Sequence, residues 1–203
     1  MNNVVRTTAM LLVLMVSIVS AKAEDSEPYA LKPYVGLGLG VYTLGIDDRV
    51  GANTDEALGA YLSAGVDIAR FLGAEVRLGT TTNEASLPLL LSEIRADYII
   101  SYLGKLQFPF DNGLRFYALG GGTTAVIHMG SPVSDRMSKT GFSFGGGFDY
   151  AFSGALFSPR YRIGVEAMRY WHNVDLPTLS SPPFFNPATM SIDALIGTLK
   201  YEF

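Results

Sequence analysis

Nine ionisable residues recur on one side of otherwise apolar segments: Glu75, Arg77, Arg95, Asp97, Lys105, Arg115, Asp149, Arg162 and Glu166. Five of these are basic and four acidic. The chemistry open to such a set is mutual pairing, because a nearly neutral mixture withdrawn from water offsets its desolvation only by attraction and hydrogen bonding among its own members. Lysine, which marks a solvated face, is scarce among them.

Other residue types could do different chemistry. The stretch "RYWHNVDLPTLS" places His172 near Asp175, Ser180 and Ser181, the types used in nucleophilic hydrolysis. A metal centre needs three or four ligands, whereas His128 and His172 are the only histidines and cysteine is absent. Both histidines therefore read as surface residues, with no metal and no cofactor expected. Gly36-x-Gly38-x-Gly40 and Gly120-Gly121-Gly122 lack the spacing of a dinucleotide loop and the Lys-Ser/Thr of a phosphate loop. Glycines at alternate strand positions read instead as room for bulky neighbours.

The elements that carry these residues alternate with a period of two. Eight segments do so: Tyr34 to Leu44, Leu58 to Ile68, Ala74 to Gly79, Glu93 to Phe108, Leu114 to Ile127, Thr140 to Phe152, Tyr161 to Met168, and Ser191 to Phe203. In the fourth, the even positions run Ile94, Ala96, Tyr98, Ile100, Tyr102, Gly104, Leu106, Phe108 against Arg95, Asp97 and Lys105 among the odd ones. Strands of about 9–13 residues are longer than the ~5–6 common in globular proteins and match a tilted bilayer crossing. The expected fold is all-β, an eight-stranded antiparallel up-and-down transmembrane β-barrel.

A water-soluble barrel would turn the apolar faces inward; a membrane barrel exchanges the faces and fills its narrow lumen from the polar one. The balanced charges favour the second reading. So do aromatics at strand ends, Phe108, Tyr161, Tyr201 and Phe203, where rings meet a membrane interface. Connections after the second, fourth and sixth segments are short: "ARFLG", "PFDNG" and "SGALFSPR". Those after the first, third, fifth and seventh are longer: Gly45–Ala57, Thr80–Ser92, His128–Lys139 and His172–Met190. Short turns inside and longer loops outside would put both chain ends in the periplasm. The last loop carries Phe184 and Phe185 between prolines, a possible apolar contact for a partner.

"MNNVVRTTAMLLVLMVSIVSAKA" has one early charge, Arg6, a short apolar run and Ala21-Lys22-Ala23. This is the pattern of an export signal, so residues 1–23 are expected to be a signal peptide and 24–203 the barrel domain. The 203-residue chain has a formal net charge of −4, and loss of Arg6 and Lys22 makes the remainder more acidic, which argues against a nucleic-acid partner. Without cysteine, no disulfide holds the exported chain.

"KPYVGLGLGVY", "GAYLSAGVDIARFLGAEVRLG", "LRFYALGGGTT" and the terminal "LKYEF" together resemble the small outer-membrane β-barrel proteins of Gram-negative bacteria, the OmpA-type and opacity-protein-like family. The resemblance implies outer-membrane lipid and lipopolysaccharide as surroundings and a monomer by default. It also implies the barrel-assembly machinery as a partner, reading Leu195, Leu199, Tyr201 and Phe203 on the last strand. Its members span adhesins, surface antigens and barrels without known task, so a structural or surface-interaction role, with a possible host or surface partner at the loops, is the leading expectation. No enzyme is expected. The alternative is a lipid A-modifying hydrolase, although no serine stands two residues after His172 as in the deacylase pattern. A small-solute pore is the third reading.

Overall fold

The computed structural model describes residues 31–48, 51–81, 85–87, 92–129, 135–152, 161–175 and 189–203. Within them lie nine strands: β1 (Lys32–Asp48), β2 (Gly51–Asp67), β3 (Leu72–Thr81), β4 (Ala85–Leu87), β5 (Ser92–Pro109), β6 (Leu114–Met129), β7 (Asp135–Ala151), β8 (Tyr161–Asp175) and β9 (Thr189–Glu202). β4 is a three-residue piece paired with the start of β5. The other eight form a closed antiparallel barrel, because β1 pairs with β9 and β3 pairs with β5. Closure removes the sheet edges that a membrane cannot solvate. It extends to the end of the chain, where the Phe203 N–H donates to the Pro33 carbonyl at 3.0 Å.

The inside-out assignment of faces holds along β1, where Tyr34, Tyr42 and Leu44 are buried while Val35, Leu37, Leu39 and Val41 are exposed. On β9, Leu195, Leu199 and Phe203 point outward opposite buried Ile196, Thr198 and Lys200. A belt of rings runs from the start of β3 round to β9 at the end holding both described termini: Phe71 against Phe108, Phe110 against Phe116, Phe116 against Phe148, Tyr150 against Phe152, and Tyr161 against Tyr201. From Phe203 to Leu195 the outward residues of β9 are aromatic, aliphatic or glycine, and the next outward position is Asp193. Eight steps of strand at barrel tilt give an apolar band of roughly 20 Å, close to the ~25 Å of outer-membrane barrels.

The structure corrects three expectations about length and register. Gly45–Ala57 is not a loop, since the β1–β2 ladder runs on to Asp48 opposite Gly51. His128–Lys139 is likewise mostly strand, with the β6–β7 ladder ending at Met129 opposite Asp135. Both hairpins continue beyond the apolar band, and a water-exposed ribbon needs no apolar alternation for its backbone pairs to form. In β5 the register slips between Ala96 and Tyr98, so Ala96 is buried rather than outward and the even-position face does not run unbroken through Asp97.

A second irregularity lies in β8. Its pairing with β9 shifts at Trp171 and again before Val174, and Tyr170 and Trp171, though consecutive, are both buried. The β7–β8 ladder stops at Phe144 opposite Arg169, although β7 and β8 each continue further. There the Ser143 hydroxyl donates to the Tyr170 carbonyl at 2.5 Å, and the Trp171 ring and Val174 lie over Gly141.

Glycines fall into two kinds. A Cβ on inward Gly38 would sit 2.3 Å from the Tyr61 ring, and one on inward Gly65 2.3 Å from the Tyr34 ring. Outward Gly120 has nothing within 4 Å. Gly38→Val is therefore expected to cost about 1–3 kcal/mol by forcing Tyr61 out of place, while Gly120→Ala should stay within about 0.5 kcal/mol of wild type. Urea unfolding in lipid vesicles, followed by the fluorescence of Trp171, checks both; equal midpoints would contradict the packing role of Gly38.

Candidate functional site

The lumen is stratified along its axis. Toward the end with the termini it holds ten ionisable side chains: Arg77, Lys105, Arg115, Arg162 and Lys200 against Asp67, Glu75, Asp149, Glu166 and Glu202. Five positive groups thus face five negative ones. Toward the other end the lumen is apolar, filled by Leu44, Ile99, Ile127, Trp171, Met190 and Ile192 among others.

Arg77 organises the inner cluster. Its Nε donates to Glu75 at 2.6 Å, and its Nη1 and Nη2 donate to the two carboxylate oxygens of Glu166 at 2.5 and 2.9 Å. β3 and β8 lie four strands apart by either route around the barrel, so this bidentate pair spans a full diameter. Tyr61 and Tyr117 each donate a hydroxyl to Glu166 at 3.0 Å, and Tyr34 donates to Glu75 at 2.7 Å. The Lys200 ammonium stands 3.6 Å from Glu75 and over the Tyr117 ring. Tyrosine suits these positions because the ring fills space and the hydroxyl satisfies a carboxylate.

Arg115 organises the second cluster, nearer the barrel mouth. It makes a forked pair with Asp149 at 3.0 and 2.8 Å, donates to Asp67 at 2.9 Å and lies 3.1 Å from Glu202. Arg162 donates to Asp149 at 2.6 Å and to the Gly113 carbonyl at 2.9 Å, where Gly113 adopts φ of 85° in the β5–β6 turn. Lys105 pairs with Asp67 and lies over the Tyr34 ring. Between the charged and apolar zones, Ser101, Thr123 and Ser143 form a buried run of hydroxyl contacts across β5, β6 and β7, each 2.7 Å long.

Of the nine residues singled out from the sequence, the structure brings seven together: Glu75, Arg77, Lys105, Arg115, Asp149, Arg162 and Glu166. Asp97 is half-buried at the β5 bulge. Arg95 is paired in register with His128 of β6, on the far side of that bulge from the network. Asp67, Lys200 and Glu202 were missed as members, although each lies on the minority face of its segment, and that alternation was the signal available. His172 is exposed, with its ring 6.4 Å from Phe144. Ser180, Ser181, Phe184 and Phe185 fall outside the described residues, as does the expected signal segment 1–23. Among the described residues no three His, Asp or Glu side chains converge as a metal site.

Closed strands, an aromatic belt and a lumen filled by paired charges define a small membrane-spanning β-barrel. The chain belongs to the outer membrane protein β-barrel domain family, which matches residues 9–203. Neisserial surface protein A is similar in structure, with 13% identity, a TM-score of 0.62, and coverage of 84% of this chain and 97% of that one. OprG from Pseudomonas aeruginosa gives 12% identity, a TM-score of 0.51, and coverage of 84% and 95%. At such identity these likenesses speak for the fold alone. No match is found among functionally curated proteins.

Arg77→Met strands Glu75 and Glu166 in the lumen and should destabilise the barrel by about 3–5 kcal/mol. Adding Glu166→Gln should recover a substantial part of that loss. A double-mutant cycle in vesicles measures the coupling, and strictly additive effects would contradict the assignment.

Proposed function

We propose that this protein is a filled, non-conducting barrel of the Gram-negative outer membrane, with a structural or surface-interaction role of the adhesin or antigen kind exercised at the end remote from its termini. The observation that carries this reading is the Arg77–Glu166 pair across the barrel diameter, with both side chains 1% exposed or less. A lumen of eight strands crossed by paired side chains leaves no continuous water path. The apolar packing around Trp171 seals the same lumen a second time.

In this reading residues 1–23 direct export and are removed, and 24–203 insert as a monomer. The two chain ends lie in the periplasm, on the side where β2–β3 and β5–β6 are joined by tight turns. The β1–β2 and β6–β7 hairpins project outward on the other side. Leu195, Leu199, Tyr201 and Phe203 serve as the assembly signal, their outward placement on β9 leaving them accessible before the barrel closes. Recognition falls to the outer connections, Phe184 and Phe185 among them. The runner-up hydrolase reading rests on the sequence alone: His172 is exposed beside the Phe144 ring, and Ser180 and Ser181 fall outside the described residues.

Planar bilayers containing the purified chain should show no steady conductance steps, and frequent large openings would instead favour a pore. The absence of native cysteine makes orientation directly measurable. On intact cells a membrane-impermeant maleimide should label Thr54→Cys but not Arg70→Cys, two exposed positions at opposite barrel ends. The reverse pattern would turn the molecule over. Lipid A of unchanged mass with and without the protein is the expected result for a barrel that is not an enzyme.

A further inference from the structure

On the outer wall, away from the lumen network, a groove of about 660 Å³ lies across β2, β1, β9 and β8 and ends against Phe144 and Gly145 of β7. Its polar rim is one lateral row: Thr43 stands opposite Glu56 on one side and Asp193 on the other, and Asp193 stands opposite Arg169. The next outward row toward the termini is wholly apolar, formed by Leu58, Val41, Leu195 and Ala167. Polarity therefore changes within a single step of the strands. Charges on a lipid-facing wall are tolerated at head-group level and resisted at mid-depth, so this row marks the polar boundary of the membrane.

Arg169 is held side-on. Its Nε and Nη2 donate to the two Asp193 oxygens at 2.6 and 2.9 Å, and both side chains remain more than a third exposed. Nη1 makes no hydrogen bond with any described residue, which leaves it free to donate to an acceptor at head-group level. The exposed Glu56 carboxylate, at the other end of the row, calls for a donor. With strands ~4.8 Å apart, Glu56 and Arg169 are separated by roughly 14 Å, wider than a single glycerophosphate head.

We propose that this groove seats one phosphorylated glycolipid of the outer leaflet, a lipopolysaccharide, with a phosphate oxygen on Arg169 Nη1, sugar hydroxyls on Glu56 and Thr43, and an acyl chain along Val41, Leu195 and Ala167. The choice of this lipid rests on the orientation given under the proposed function, since this end must then face the outer leaflet. The anionic phosphate and donating hydroxyls match the acceptor and donor needs of the row from end to end.

The test uses the purified full-length chain in detergent with short-chain lipopolysaccharide, read by native mass spectrometry, with phosphatidylglycerol and phosphatidylethanolamine as parallel arms. Wild type should retain one lipopolysaccharide, and Arg169→Gln should lower its affinity about tenfold, the loss of one charge-assisted contact. Asp193→Asn should keep or raise the affinity, because it frees the rest of the guanidinium. Equal losses in the two variants would mean that the pair only braces the wall, and would overturn the proposal. Retention of a phospholipid in preference to lipopolysaccharide would also overturn it. Thr43→Val supplies a second reading, a smaller loss of affinity, should Arg169→Gln fail to fold. Binding in detergent does not depend on which way the barrel faces, whereas maleimide labelling of Thr54→Cys does, so failure of the site and failure of the orientation are told apart.

Discussion

Arg77 cannot be solvated where it stands. Its guanidinium lies at the centre of a tube walled by eight strands, and every donor it has must be matched by a group already in place. Glu75 on its own strand and Glu166 on the opposite wall supply the acceptors, and their remaining lone pairs call in turn on Tyr34, Tyr61 and Tyr117. The glycines of β1 and β2 follow from this demand: Tyr34 and Tyr61 lie across the Cα atoms of Gly65 and Gly38, which leave no space for a side chain. A buried pair of this kind adds little net stability over an apolar filling, but breaking it leaves an uncompensated charge, so it ties the barrel to one register.

The two zones of the lumen divide the work of filling the tube. Around Arg77 and Arg115 the interior is a closed electrostatic lattice with equal numbers of each sign. Around Trp171, Ile192 and Met190 it is a dry core like that of a water-soluble domain. The protein thus has two apolar surfaces of opposite purpose, one packed inside at the end remote from the termini and one facing lipid around the waist. The fold rests on their coexistence.

Much of this was legible in the sequence because a strand with two unlike faces writes its environment into every second residue. Tyr34 to Leu44 and Ser191 to Phe203 showed the inward and outward sets without ambiguity. What failed to show was anything that breaks the period. The bulge at Asp97 turns Ala96 inward, and the paired burial of Tyr170 and Trp171 follows from a shift that no residue type announces. Loop lengths misled for a different reason: Gly45 to Ala57 lacks apolar alternation because it projects beyond the lipid, yet its backbone pairs all the same. Lys200 and Glu202 lie on the minority face of a terminal strand whose outward face, Leu199, Tyr201 and Phe203, carries the stronger pattern. The role of the outer connections was never legible, because contact with a partner leaves no periodicity.

The seam between β7 and β8 has a mechanical consequence. Below Phe144 and Arg169 the two strands are stitched by backbone pairs, but above them the Ser143 hydroxyl and the rings over Gly141 hold the wall. Side-chain contacts release one at a time, whereas a ladder gives way together. Pulled apart from the rim remote from its termini, this cylinder would unzip along that line first, and the tear would halt where the stitching begins.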